Sequence, residues 1–68
     1  MLKVIEVLSE SDKSWEDAAA AAVKTAGKTL HNIKSIYIEN MEAAVKDNKI
    51  VSYRINAKIS FVLDNGKK

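Results

Sequence analysis

The side chains able to do chemistry that gather in short stretches of this 68-residue chain are mainly carboxylates. Glu10, Asp12, Glu16 and Asp17 crowd one short stretch, and Glu39, Asn40 and Glu42 another. Carboxylate and amide oxygens suit hard divalent cations, but calcium takes roughly six to eight of them, more than one short stretch supplies. The spacing of an EF-hand loop is absent. His31 is the single histidine and has no acid beside it. With no Cys, thiolate nucleophiles, thiolate metal sites and disulfides are excluded together. Gly27 and Gly66 are the only glycines, too few for a loop that cradles phosphate. No nucleophile, base and orienting group assemble from this inventory, so the chain reads as a binding protein and not as an enzyme.

The elements that carry these residues give several of them a structural role. Ser14-Trp15-Glu16-Asp17 has the form of a helix start. The Ser14 hydroxyl would accept from the Asp17 N–H, Asp17 stands where a capping box usually has Glu, and both acids lie at the positive end of the helix dipole. From Trp15 to about Leu30 the chain is rich in Ala, a strong helix former. Trp15, Ala19, Ala22, Val23, Ala26 and Leu30 recur at helical spacing. They form one apolar face, mostly of methyl groups, that lets the axis lie close to a sheet.

Residues 2–8 read as a short, mostly buried strand, and residues 9–13 as a polar turn. Beyond His31 and Asn32, residues 33–45 predict a second strand, bent in its second half. Lys46-Asp47-Asn48-Lys49 has turn chemistry. Residues 50–63 carry the clearest period in the chain: Tyr53, Ile55, Ala57, Ile59, Phe61 and Leu63 alternate with Ser52, Arg54, Asn56, Lys58 and Ser60. Residues 64–68 read as a tail. The predicted class is α+β: one β-α-β-β domain over residues 1–68, with a three-stranded antiparallel curved sheet wrapping one helix.

A hydrophobic share of 47% and a charged share of 29% fit a folded domain and argue against disorder. The net charge of +2 is too weak for a nucleic-acid partner, and its basic residues are interleaved with acids. No apolar run approaches the roughly 20 residues that cross a bilayer. Glu6 stands where a signal peptide would need an apolar core, so a cytoplasmic location is expected.

Size makes self-association the leading expectation. A domain of about 60 residues buries only roughly 60% of the surface its unfolded chain exposes. Without disulfides, oligomerisation is the usual remedy. A compact chain of this length has a radius of gyration near 11 Å, whereas a strand of about 14 residues spans about 46 Å. Such a hairpin must curl or reach into a neighbour, and its open edges invite pairing with copies of the chain.

Taken in order, Val4-Ile5-Glu6-Val7, Ser14-Trp15-Glu16-Asp17-Ala18-Ala19, the Ala-rich helix, Ile36-Tyr37-Ile38-Glu39 and Tyr53-Arg54-Ile55-Asn56-Ala57-Lys58-Ile59-Ser60-Phe61 resemble the dodecins over nearly the whole chain. The resemblance implies a hollow homododecamer, with helices outside and curved sheets lining a cavity that holds a small-molecule or ion guest. For many members it implies storage of flavin, FMN or riboflavin, in stacked pairs between subunits near twofold axes. There a Trp at the start of the second strand stacks on the ring, and a Gln on the third strand bonds its edge.

Carried onto this chain, the family's flavin site falls on Ser35, Tyr37 and Arg54, with Ser35 in place of the Trp and Arg54 in place of the Gln. Ser35 has no π face, so the stacking surface is lost and flavin affinity is expected to be weak or absent. Arg54 could still donate hydrogen bonds or stack its planar guanidinium. Trp15, in the first helical turn on the sheet-facing side, is expected to anchor the core and not a ligand. The resemblance extends to flavin-poor dodecins that bind calcium, and the candidate ligands for such an ion are Glu16, Asp17 and Glu39.

Overall fold

The computed structural model describes residues 1–63 and sets them in the predicted order: β1 (Leu2–Ser11), α1 (Trp15–Ala26), β2 (Ile33–Lys46) and β3 (Lys49–Val62). The predicted tail, residues 64–68, lies outside the described residues. β3 is the central strand, antiparallel to both neighbours, in the order β1-β3-β2. Its alternation explains that place. Ile55, Ala57, Ile59 and Phe61 are buried under the helix, while Arg54 on the opposite face is exposed. Ala18 packs on Ile55 and Ala57, with Val7, Trp15, Ala19, Ile36 and Ile38 around them. A methyl-only helix face permits this close approach, and Ala18 itself has no exposed surface.

β2 and β3 join through Asp47 and Asn48, both left-handed at φ 54° and 64°. Two consecutive positive φ values make the tight hairpin turn whose twist matches that of the strands, and Asp and Asn are among the few residues that adopt it readily. Register shifts between Ile33 and Ser35, Ile38 and Asn40, and Ala44 and Val45 interrupt the ladder. Such bulges are the features that bend a strand, and the last of them falls in the second half of β2, where the sequence predicts a bend.

Three local features differ from the sequence reading. β1 continues to Ser11, through the predicted turn, because its serines are tied to the helix. Ser9 Oγ donates to Ala18 O at 2.7 Å, and Ser11 Oγ to Asp17 Oδ2 at 2.7 Å. The helix ends at Ala26, four residues short of Leu30. Gly27 still donates to Val23 O at 2.8 Å, but Lys28 and Thr29 donate only three residues back, to Thr25 and Ala26. Gly is the poorest helix former apart from Pro, and the last turn tightens there. Third, β1 is not mostly buried: Leu2, Val4 and Leu8 are 62%, 54% and 81% exposed. They point to the sheet face opposite the helix.

The chain is long and thin. Its radius of gyration is 14.1 Å and its principal extents are 54 × 19 × 12 Å, against about 11 Å for a compact globule of this length. A helix of 12 residues reaches about 18 Å at 1.5 Å per residue and cannot cover a hairpin about 46 Å long. Met41, Val45, Ile50 and Val51 are accordingly exposed toward its far end. Among the described residues no helix is long and apolar enough to cross a membrane.

Candidate functional site

The polar residues of β3 stand on the open face of the sheet, opposite the helix, and each draws a partner from a neighbouring strand. Arg54 lies between its two cross-strand partners, Glu10 on β1 and Glu42 on β2. Its Nε is 3.5 Å from Glu10 Oε2 and its Nη1 is 3.7 Å from Glu42 Oε2. Ser52 also donates to Glu10 Oε2, at 2.8 Å. All three charged side chains are about half exposed or more, so each pair adds little stability in a solvated chain. What the clamp fixes is the direction of the guanidinium. A pocket of about 280 Å³ beside it is lined by Leu8, Asn40 and Asn56 as well as the three clamp residues. Asn56 Oδ1 is shielded there without a hydrogen-bond partner.

Ser35 occupies the other end of the open face, opposite Ser60, with the two hydroxyl oxygens 2.6 Å apart. Between the ends, Tyr37 faces Lys58 and is 64% exposed. The register shift between Ile38 and Asn40 brings Glu39 onto this face, where its Oε1 lies 3.6 Å from Lys58 Nζ. Ser35 and Arg54 therefore do not meet within one chain. Ser60, beside Ser35, is six residues from Arg54 on the same strand, a separation of about 20 Å at roughly 3.3 Å per residue.

Ser35 and Arg54 both meet partners within the subunit. Ser35 offers a hydroxyl already engaged by Ser60, and a hydroxyl gives no π surface for a ring to stack on. Arg54 has its guanidinium drawn to two carboxylates.

The acidic candidates divide between the two sides of the sheet. Asp17 is committed to the helix start: its N–H donates to Ser14 Oγ at 2.9 Å and its Oδ2 accepts from Ser11, whose Oγ also accepts from the Lys13 N–H. Ser14 is the N-cap, as the sequence predicted. Glu16 is exposed beside it, while Glu39 sits on the open face. One chain thus joins Glu16 with Asp17 but not with Glu39. Among the described residues no three His, Cys, Asp or Glu side chains come together as a metal would require.

Trp15 sits as expected of a structural anchor. Its Nε1 donates to Glu42 O at 3.0 Å, and its ring meets Tyr53 edge-on, with centroids 5.0 Å apart at 79°. Sequence reasoning missed the clamp because it ended β1 at Leu8, which left Glu10 in a turn. Opposite charges on facing strand positions are the available signal, and it appears once β1 is extended to Ser11.

A profile of the dodecin family matches residues 1–64. Calcium dodecin of Mycobacterium tuberculosis is 36% identical over 59 residues, which cover 87% of this chain and 83% of that protein. The crystal structure of that calcium-chelating dodecin, solved with a calcium-binding site, superposes with a TM-score of 0.82 at 31% identity, covering 100% of this chain and 97% of the other. The dodecin of Streptomyces coelicolor superposes at 0.91 with 21% identity, over 97% of this chain and 94% of the other. That second likeness bears on the fold alone.

Proposed function

The chain belongs to the dodecin family, and from that premise we propose that it is the subunit of a self-assembling binding protein, a hollow homododecamer, whose guest is a divalent cation such as calcium and not a flavin. The observation that carries the choice of guest is the Ser35–Ser60 hydroxyl pair, at the position onto which the family resemblance carries the flavin-stacking Trp. The relative that is 36% identical is a calcium dodecin, which supports the same reading. Assembly is supported by the exposed apolar residues on β1 and along the hairpin, since a monomer rarely leaves so large an apolar surface in water. The role is binding and sequestration, without catalysis.

Glu16 and Asp17 fit calcium in kind, as hard oxygen donors, and fall short in number. Water, backbone carbonyls or a neighbouring subunit would complete the shell, and Glu39 joins it only across a subunit boundary. When bound, the ion neutralises and ties together carboxylates that otherwise repel.

Calcium titration with a thermal melt tests this. A ligand held only by the folded protein stabilises it by about 2.7 kcal/mol at a hundredfold excess over its Kd. Calcium is expected to raise the melting temperature by several degrees, EDTA to reverse the rise, and Glu16→Gln to reduce it. Riboflavin fluorescence is expected to be unchanged by the protein at micromolar concentrations. A melting temperature indifferent to calcium, together with quenched riboflavin, would instead assign the guest as a flavin.

A further inference from the structure

We propose that two separate devices on the open sheet face, and not the missing aromatic alone, keep flavins out of this shell: the Ser35–Ser60 hydroxyl pair and the Glu10–Arg54–Glu42 clamp. The proposal rests on the reading that flavin is not the guest, and it names the residues that decide it. The first device leaves no stacking surface. The second works by chemistry of its own. Arg54 stands between Glu10 and Glu42 and turns its Nε and Nη1 toward their carboxylates, so the guanidinium is already drawn to two acids before a ligand edge arrives. Ser52 adds a hydrogen bond to Glu10 and holds that carboxylate in place.

The two devices stand about 20 Å apart along β3, farther than the three-ring head of a flavin extends. One ligand touches both only if they belong to different subunits. Each device therefore acts as an independent gate, and opening one leaves the other closed.

The electrostatics of the clamp make a second consequence. Arg54 offsets one of the two carboxylates that face it, so the cluster carries one net negative charge. Replacing Arg54 by a neutral donor leaves Glu10 and Glu42 uncompensated beside the opened pocket. A flavin admitted there meets two negative charges. Neutral riboflavin is then preferred over FMN, whose phosphate is repelled, and the preference weakens as salt screens the charges.

The experiment compares the parent with Ser35→Trp, Arg54→Gln and the double variant, each checked for assembly by light scattering and titrated into riboflavin and FMN while fluorescence is read. Trp suits a strand position, and Ser35 is exposed, so both substitutions are compatible with the fold. Stacking of about 1.4 kcal/mol corresponds to about tenfold in affinity. The double variant is expected to quench riboflavin saturably, at least tenfold more tightly than either single variant, and to bind FMN more weakly than riboflavin at low salt. Co-assembled single variants are expected to recover part of that binding, because one site draws its two positions from different subunits.

Ser35→Trp alone binding as tightly as the double variant would overturn the role of the clamp. An assembled double variant that leaves both flavins unquenched would overturn the assignment of the two positions. Should the double variant fail to assemble, Ser35→Phe with Arg54→Gln reads the same two outcomes with a smaller ring. None of these results depends on calcium. The guest assignment itself fails separately, on the parent protein, if the parent quenches flavin.

Discussion

Leu8→Asp is expected to dissociate the assembly and leave a chain that does not stay folded by itself. Leu8 is 81% exposed in the lone subunit, on an open face that also carries Leu2 and Val4. Apolar side chains in that setting mark a contact surface, and burying one Leu side chain stabilises by about 1.5–3 kcal/mol. An aspartate there loses this gain and adds a third carboxylate to a pocket that already holds Glu10 and Glu42. Closed symmetric assembly repeats the defect in every subunit. The released chain has little to hold it, since its buried apolar residues are Ala18, Ala22, Ile55, Ala57, Ile59 and Phe61, half of them alanine. Size exclusion with light scattering reads the first effect, and far-ultraviolet circular dichroism reads the second. Lys28→Ser, an exposed position after the helix, is the control and is expected to change neither. An undiminished mass for Leu8→Asp would remove β1 from the seam.

Ile59→Ala is expected to lower stability by about 2–5 kcal/mol per subunit, through lost transfer energy and a residual cavity. Ile59 is fully buried on the central strand, with Ile5 and Ile36 directly opposite on the two flanking strands. Among the described residues Ile55 and Ile59 are the largest fully buried side chains, so the loss removes a large part of what the lone chain buries. Because native domains are stable by only about 5–15 kcal/mol, the melting temperature is expected to fall by more than ten degrees. Denaturant unfolding checks this, with Lys24→Ala on the exposed helix surface expected to stay within about 0.5 kcal/mol of the parent. A loss below 1 kcal/mol for Ile59→Ala would mean that contacts between subunits, and not this core, carry the stability.

The two substitutions separate what the sequence shows from what it hides. The face of β3 is legible because strict alternation of Ile, Ala and Phe with polar residues admits one strand orientation. The helix start is legible because Ser14 and Asp17 have the right types at the right spacing. The helix face is only half legible. In the run from Ala18 to Ala22 every residue is apolar, so periodicity alone cannot select the buried pair, Ala18 and Ala22. The end of β1 is hidden for another reason. Ser9 and Ser11 have turn-like composition, and what extends the strand is their hydrogen bonds to the helix.

Of the candidate site, positions can be read from the sequence but contacts cannot. The positions of Ser35 and Arg54 follow from the order of residues along the chain. Their partners Ser60, Glu10 and Glu42 depend on strand register, which the bulges in β2 shift three times. β1 is exposed in the single subunit, and composition cannot distinguish a strand buried by its own helix from one left open.

Self-assembly is the claim on which the rest depends: an open face lined with Leu2, Val4 and Leu8 is a binding surface only inside a shell. The mass of the purified protein in solution, measured by light scattering without added ligand, tests it most directly. Twelve subunits of 7.5 kDa give the predicted species of about 90 kDa, unchanged on dilution into the micromolar range. A folded species of one or two subunits, stable at the same concentration, would contradict it.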